Sequence, residues 1–382
     1  EEGLAWESVH PISYGLMSRD INTGNSGTIL ALAELFEDFD DAHGHSVLDA
    51  STHWLASSVS KNTQPLPGLY VGEAGVGAAL LRAGQVMQQS NLIEQAAAKS
   101  RLIAALPFGS PDLFNGTAGR LRFHHLMWDE TQEKEHLQFA LQCTEHLVAT
   151  TITKLDDTMS WSIPEDYGSL SGQEYLGYAH GIAGIADTLL DTFEITSDER
   201  LLPVIQRVAR RLGQLAMPVL NDNSGLNWSR IEGELPTAAF WCHGAAGIGR
   251  FFLHIAQLGI ISEAMEIAVR AAHMVARGTR GAGPTQCHGL AGNIEFLLDM
   301  YQATGDSSYL SEAYSMAFLL EAFSREKDGN LVFSSENPDI FTPDYMVGYA
   351  GVALSLLRLS EPERIPHQLS RAGFRYRRKK VS

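Results

Sequence analysis

The chain has 382 residues, 45% of them hydrophobic, which is enough for a large core, and its length alone permits two or three domains or one repeat architecture. Its 28 basic and 45 acidic side chains give a net charge of −17, which argues against nucleic acid as a partner because phosphate binding needs a basic surface. No apolar run approaches about 18 residues and no charged-then-apolar leader opens the chain, so we expect a cytoplasmic protein without a membrane span or a secretory signal.

A G-x-x-G motif recurs seven times along the chain, at spacings of 44 to 65 residues. The first glycines of the copies are Gly24, Gly72, Gly116, Gly181, Gly244, Gly289 and Gly348. Each copy opens an apolar helix-like stretch, and most are followed by an amphipathic helix such as residues 134–152 or 201–216. Each repeat is therefore predicted to be a helical hairpin.

Seven such hairpins suit a closed ring with the G-x-x-G helices inside, because each repeat needs neighbours to cover its apolar face. The glycines are interpreted first as packing residues that let the inner helices approach closely. Irregular segments rich in aromatic and turn residues precede three inner helices, at 161–178, 225–241 and 329–349. We expect short hairpin-like loops there, around one mouth of the ring, where binding sites commonly lie.

Three consecutive inner helices are entered through histidine, at His180, His243 and His288, and the last two follow Cys242 and Cys287. Equivalent offsets in a ring face one opening, so these side chains are expected to converge. Two cysteines and one histidine are the ligands of a catalytic zinc site that leaves a fourth position open. The alternative is that both cysteines are small core residues, which is the interpretation given to Cys143 within its apolar helix.

The seven motifs, together with W-C-H-G at 241–244 and C-H-G at 287–289, resemble the lanthionine cyclase (LanC-like) family over nearly the whole chain. That family includes free-standing cyclases, cyclase domains of lanthipeptide synthetases and eukaryotic glutathione-binding relatives. The resemblance implies an all-α fold, an α/α toroid of seven inner and seven outer helices. It also implies one zinc ion per chain, held by Cys242, Cys287 and His288.

The implied domain is single and spans residues 1–382, with repeats from about 20 to 360 and a basic tail at 371–382. The run from Arg371 to Lys380 is expected to be a solvated terminus, or alternatively to dock an acidic leader peptide or a partner enzyme. The pairs His124 with His125 and His43 with His45 match no other repeat and receive no role.

The resemblance also points to catalytic residues besides the metal ligands. His180 matches a family histidine before the fourth motif, and Asp112 matches an aspartate four residues before the third. Some family cyclases have an arginine where this chain has Ala238, and Arg230 in the same loop is a candidate substitute. His243 stands where some members have tyrosine, and it is interpreted either as a contact of the site or as packing.

The implied reaction joins cysteine thiols of a dehydrated precursor peptide to dehydroalanine or dehydrobutyrine, forming lanthionine or methyllanthionine rings. Zinc supplies the thiolate, because a free thiol with a pKa near about 8.5 is mostly protonated at neutral pH. His180 is the expected acid that protonates the enolate, and Asp112 is the expected acceptor of the thiol proton, either directly or through His180. A separate dehydratase, or a kinase and lyase, must dehydrate the peptide, since the chain has no kinase-like motif.

Two other functions remain open at this point. A zinc-containing protein that binds glutathione or another thiol, without forming rings, would use the same metal ligands. A toroidal glycosidase would need a pair of catalytic carboxylates, drawn from Asp112, Glu165, Asp166 and Glu174, but would leave the in-phase cysteines unexplained.

Overall fold

A computed structural model describes residues 3–39, 41–59 and 65–376, and most of them are helical. Seven helices begin at the G-x-x-G motifs: α1 Asn25–Asp38, α3 Glu73–Met87, α5 Thr117–Thr131, α7 Ile182–Thr196, α9 Ala245–Gln257, α11 Leu290–Thr304 and α13 Tyr349–Ser360. The others are α2 Ala42–Ser57, α4 Ser90–Ala104, α6 Lys134–Ala149, α8 Leu202–Gln214, α10 Ala264–Gly278, α12 Ser307–Leu320 and the short α14 Arg371–Arg375.

The G-x-x-G helices form a closed inner ring. Each of them contacts the next one along the chain, and α13 contacts α1, while α2, α4, α6, α8, α10 and α12 lie outside. The predicted α/α toroid is confirmed. The fourteenth helix is only five residues long and packs against α5.

The second glycine of every motif is required by the close approach of its own loop. A Cβ atom at Gly184 would collide with the carbonyl oxygen of Tyr178, six residues earlier, and one at Gly247 would collide with that of Trp241. The same offset holds at Gly27, Gly75, Gly119, Gly292 and Gly351. The second glycine is thus required first by its own loop. The predicted close approach between repeats is a further contact at some positions, such as Gly247, where a Cβ atom would also lie 2.5 Å from Tyr178 Cβ.

Backbone hydrogen bonds join the loops in front of the inner helices into a ring. They use the residue two positions before each motif, whose N–H donates to the carbonyl of its counterpart in the next repeat. The bonds run from Asn22 to Tyr70 (3.0 Å), Tyr70 to Phe114 (3.0 Å), Phe114 to Ala179 (3.0 Å), Ala179 to Cys242 (3.3 Å), Cys287 to Met346 (2.9 Å) and Met346 to Asn22 (3.2 Å). In the described part of the chain, no backbone hydrogen bond joins Cys242 to Cys287, so this one link of seven is open.

Three short antiparallel hairpins lie in the connections that lead to α7, α9 and α13. They pair β1 Ile152–Thr153 with β2 Met159–Ser160, β3 Met217–Val219 with β4 Gly225–Asn227, and β5 Ser324–Lys327 with β6 Asn330–Phe333. The expected hairpin-like loops are present, although the first hairpin precedes the segment 161–178. None of the helices among the described residues combines the length and apolar character needed to cross a membrane.

The side chains inside the ring form two layers. Aromatic rings lie next to the loops, with Tyr70 and Tyr178 at 5.0 and 5.6 Å from the Trp241 ring. Farther along the inner helices the interior is charged: Arg122 pairs with Asp187 at 2.7 Å. Because buried charges need partners, this second layer is a network of ion pairs.

The C-terminal segment enters that charged layer. Arg371 is buried and its guanidinium pairs with Asp129 of α5 at 2.7 Å and with Glu194 of α7 at 3.3 Å. The prediction of a solvated terminus is wrong for Arg371, because its fixed charge meets two carboxylates inside the ring. The remainder of the basic run, beyond residue 376, lies outside the described residues.

Two histidines without a sequence-based role, His124 and His125, are core residues. Both are fully buried, and His124 Nδ1 lies 2.8 Å from Ser100 Oγ. Burial, together with nearby positive charge, lowers the pKa of both imidazoles well below the usual value. They are therefore neutral in the folded protein.

We expect the free energy of unfolding to fall as the pH drops from about 6.5 to about 5.5. Below about pH 6.5 the unfolded chain binds protons that folded His124 and His125 do not, which costs up to about 1.4 kcal/mol per pH unit for each. Urea unfolding at both pH values tests this. His124→Gln should show a weaker pH dependence than the wild type, whereas His53→Gln, at an exposed position, should not. Equal slopes in all three proteins would contradict it.

Candidate metal and thiol site

Loops of neighbouring repeats bring the predicted site residues to one mouth of the ring. The Cys242 carbonyl accepts hydrogen bonds from the N–H groups of Tyr178 (3.0 Å) and Ala179 (3.3 Å). Gly177 makes room for this contact, since a Cβ atom there would collide with the Cys242 carbonyl oxygen and with His243. The fourth and fifth repeats are thereby held side by side.

The three predicted metal ligands meet at this mouth. The Sγ atoms of Cys242 and Cys287 and a ring nitrogen of His288 all lie within 4.8 Å of one another, and Cys287 Sγ is 3.5 Å from His288 Nε2. A tetrahedral zinc site, with Zn–S bonds of about 2.3 Å, places two sulfurs roughly 3.8 Å apart, so the set fits one zinc ion. Both cysteines are buried while 43% of the His288 side chain is exposed, which leaves an open side for a fourth ligand.

The electrostatics of this set favour a bound cation. Burial raises the pKa of a thiol, but hydrogen bonds from Cys287 and His288 outweigh burial at Cys242 and hold its pKa well below the usual value. The pKa of Cys287 is raised, first by the hydrogen bond of Cys287 to Cys242 and then by burial. Although burial opposes protonation, Cys242 and Glu336 raise the pKa of His288 to about 10. Negative charge on Cys242 and Glu336 thus surrounds the position that a metal would take.

Glu336 is a site residue that the sequence did not reveal. Its Oε1 lies 3.1 Å from His288 Nδ1 and accepts a hydrogen bond from Thr285 Oγ1 at 2.8 Å, while Oε2 lies 3.3 Å from His10 Nε2. A carboxylate on one ring nitrogen of a ligating histidine fixes the tautomer and points the other nitrogen at the metal. Glu336 therefore orients His288 with Nε2 toward the two sulfurs.

Replacing Glu336 with glutamine is expected to weaken zinc binding by about 10- to 100-fold, as is typical when the partner of a ligating histidine is lost. Competition with a fluorescent zinc chelator measures this affinity. The matched control is Glu326→Gln, an exposed glutamate of β5. Unchanged affinity in Glu336→Gln would show that the carboxylate does not position His288.

Asp112 and His180 form a hydrogen-bonded pair across the third and fourth repeats. His180 Nδ1 lies 2.5 Å from Asp112 Oδ2, and Asp112 is completely buried. Asp112 Oδ1 also accepts from the Asn115 N–H at 3.1 Å, so the carboxylate supports the turn before α5 as well. Among the described residues His180 Nε2 has no partner, and 15% of the side chain is exposed. One nitrogen of His180 is therefore available at the mouth.

His243 lies between that pair and the sulfurs. Its ring centroid is 6.3 Å from that of His180 and 5.7 Å from that of Tyr175. Burial lowers the pKa of His243, and within the described residues its Nδ1 has no hydrogen-bond partner. His243 is thus a neutral imidazole with one unpartnered nitrogen, and it lies beside the candidate metal ligands. Such a group is suited to contact a substrate.

This chain has Ala238 at the position where some family cyclases have arginine. Arg230, the candidate substitute, does not place a buried guanidinium at the site. The Arg230 side chain is 54% exposed and pairs with Glu234 at 3.3 Å. Its positive charge still acts at the mouth, because it lowers the pKa of His243 and opposes the burial that raises the pKa of Tyr175.

Two other groups of possible metal ligands are ion-pair clusters. In the first group, Glu133 and Glu135 lie beside His136 on the surface and both form ion pairs with Arg101. The Arg101 guanidinium is 3.2 Å from the Glu133 carboxylate. Asp191, Glu194 and His254 form the second group inside the ring, where arginines occupy both carboxylates. Only the cysteine and histidine set, among the described residues, combines soft ligands with an open side.

The fold and the site together define a class of protein: an α/α toroid whose mouth carries two cysteines and a histidine in metal-binding geometry. The chain belongs to the lanthionine synthetase C-like family, whose model, described as "Lanthionine synthetase C-like protein", matches residues 15–369. The family resemblance read from the sequence is thereby confirmed.

Other proteins share the fold or part of the sequence. Nisin cyclase has a similar structure, with a TM-score of 0.69 and 18% identity over 90% of this chain and 89% of that protein. "Glutathione S-transferase LANCL1" of Danio rerio is 27% identical over 195 residues, which are 50% of this chain and 44% of that relative. The match thus spans less than half of the relative's length. An unsaturated glucuronyl hydrolase from Bacillus sp. GL1 shares the fold at a TM-score of 0.52 and 15% identity, covering 88% of this chain and 96% of that one.

Proposed function

We propose that this protein is a zinc-dependent lanthipeptide cyclase that forms thioether rings within a dehydrated precursor peptide. The observation that carries the proposal is the convergence of Cys242, Cys287 and His288 beside the pair formed by His180 and Asp112. A conjugate addition needs a thiolate and a proton donor, and a metal that acidifies a thiol beside an acid would supply both. The glycosidase alternative would leave the metal set unused.

A zinc ion held by Cys242, Cys287 and His288 would supply a deprotonated, nucleophilic peptide thiolate at neutral pH. The protein side chains provide the remaining steps. Addition of the sulfur to the β-carbon of a dehydroalanine or dehydrobutyrine leaves an enolate, and its α-carbon must take up a proton. His180 Nε2, free among the described residues, delivers that proton.

Asp112 sets the orientation of His180. Because its carboxylate holds Nδ1 at 2.5 Å, the proton to be transferred is on the opposite nitrogen, which faces the mouth. The same carboxylate stabilises the imidazolium that forms when His180 receives the proton of the incoming thiol. In each ring closure, His180 thus takes up the thiol proton with the help of Asp112 and returns it to the α-carbon. His243 contacts the substrate between this pair and the two sulfurs.

The substrate peptide is dehydrated beforehand by a separate enzyme or domain, a dehydratase or a kinase and lyase. The three cysteines are unpaired. Free thiols in a metal set suit a reducing compartment, and we place the protein in the cytoplasm.

Incubation of the zinc-loaded protein with a dehydrated peptide that contains cysteine tests the proposal. Ring formation does not change the peptide mass, so free thiols are counted by mass spectrometry after alkylation. We expect loss of alkylation together with fragmentation typical of thioether rings. Unchanged alkylation in the presence of zinc would refute cyclase activity.

A second candidate is favoured by the relative whose name is glutathione S-transferase. In that case a metal held by Cys242, Cys287 and His288 would activate the thiol of glutathione for addition to an electrophile. Glutathione consumption with a small dehydroamino acid, in a protein that leaves dehydrated peptides linear, would select this function.

A further inference from the structure

A cavity lies inside the ring, on the other side of the aromatic layer from the candidate metal site. It has a volume of about 450 Å³ and is bounded by the inner helices α5, α7, α9 and α11 and by the C-terminal segment around His367 and Arg371. Tyr178 marks the boundary: its ring packs on Trp241, whereas its hydroxyl donates to Asp187 inside the cavity. We call this space the basal cavity. Its size is within the range of small-molecule sites.

Three of the four acidic side chains of the basal cavity are hydrogen-bonded to cationic side chains of the cavity. The fourth, Asp299, accepts a hydrogen bond from Arg358 through Oδ1, whereas its Oδ2 has no hydrogen-bond partner among the described residues. Asp187 accepts hydrogen bonds from Arg122 at 2.7 Å and lies 2.8 Å from His254 Nδ1. Asp191 accepts from Arg122 at 3.0 Å, and Glu194 from Arg371 at 3.3 Å. Although burial opposes it, the carboxylates raise the pKa of His254 to about 10, so that this histidine is a further cation. These acids are therefore poor candidates to bind a metal ion.

The donors of the basal cavity, in contrast, are incompletely satisfied. Arg250 forms an ion pair with Asp299, in which Nε lies 3.6 Å from Oδ2, too far for a hydrogen bond. The Arg250 guanidinium makes no hydrogen bond among the described residues, although only 14% of the side chain is exposed. His367 is 94% buried, with a relative exposure of 6%, and its Nδ1 has no partner among those residues. Burial and the charge of Arg250 keep the His367 pKa well below its usual value, so its ring is neutral and has one N–H to donate.

Unsatisfied buried donors are costly, and an anionic acceptor satisfies them. Oxygen atoms of a carboxylate or phosphate match the planar guanidinium, which can donate two parallel hydrogen bonds. Arg375, which is exposed and lines the same cavity, adds positive charge. We propose that the basal cavity binds a small oxyanion, a carboxylate or a phosphate, between the guanidinium of Arg250 and the imidazole of His367. This site is independent of the proposed ring formation.

Calorimetric titration of the full-length zinc-loaded protein with inorganic phosphate tests the proposal, at constant ionic strength set by chloride. Malonate is titrated separately, so that the tighter of the two identifies the ligand as a phosphate or a carboxylate. We expect saturable binding of at least one of them with one site per chain. Arg250→Gln should weaken it by about tenfold or more, as expected for loss of a charge-assisted hydrogen bond.

Two further variants make the result decisive. His367→Phe removes the second donor and should also weaken binding, which keeps the test open if Arg250→Gln does not fold. Arg277→Gln, at a surface arginine with 55% of its side chain exposed, should bind as the wild type does. The proposal would be overturned if neither anion bound saturably to the wild type. It would also be overturned if Arg250→Gln and His367→Phe both bound the anion with the affinity of the wild type.

Discussion

Replacement of Cys287 by alanine is expected to abolish zinc binding and ring formation together. Zinc content measured by elemental mass spectrometry should drop from about one ion per chain to less than about one tenth, because an open site has only three protein ligands. Without the metal, a peptide thiol with a pKa near about 8.5 is only about 3% ionised at pH 7, and it is no longer positioned. We expect the rate of ring formation to fall by about 10²- to 10³-fold.

The matched control is Cys143→Ala. Cys143 is fully buried in the helical core, and burial raises its pKa to about 12, so it is a thiol that takes no part in the metal set. This variant should keep its zinc and its activity. Zinc retained by Cys287→Ala, or a folded wild type that binds none, would remove the basis for thiolate activation.

Replacement of His180 by alanine is expected to slow ring formation by about 10²- to 10⁴-fold, the usual contribution of a general acid. Zinc content should remain that of the wild type, because His180 is not among the metal ligands. Asp112→Asn should produce an intermediate loss, since histidine remains but its orienting carboxylate is gone. Rates come from the alkylation assay, and zinc content is measured on the same samples.

His43→Ala serves as the control, because His43 is exposed near the start of α2, remote in sequence from every motif. Circular dichroism of each variant excludes misfolding. If His180→Ala closed rings at the wild-type rate, His180 would be a structural partner of Asp112 and another group would deliver the proton.

The toroid could be predicted because its restrictions act locally and repeat. Each second glycine faces a carbonyl of its own loop, so the motif is fixed by steric contacts within a few residues. The same periodicity placed Cys242 and Cys287 at equivalent offsets, with His288 next to Cys287, and a closed ring then brings them together. The pairing of Asp112 with His180 follows from the adjacency of the third and fourth repeats.

The parts that escaped prediction do not follow the repeat. Glu336 reaches His288 across 48 residues, from a loop that was expected at the mouth but holds several acidic residues and no motif. Arg371 was assigned to a solvated tail because it begins a basic run, whereas its environment depends on Asp129 and Glu194 far away in the sequence. Charge composition describes a segment, and only the tertiary structure identifies the partners of one charge.

The single open link in the ring of loop hydrogen bonds lies between Cys242 and Cys287. Backbone hydrogen bonds join the loops of neighbouring repeats at six of the seven positions. At the seventh position the side chains of Cys242 and Cys287 are candidate metal ligands instead. A metal bound there would join the fifth and sixth repeats at the one position where their loop backbones are not hydrogen-bonded. Without the metal, the contacts of α9 and α10 with α11 would still hold these two repeats together, but their loops would lack a direct link at the site.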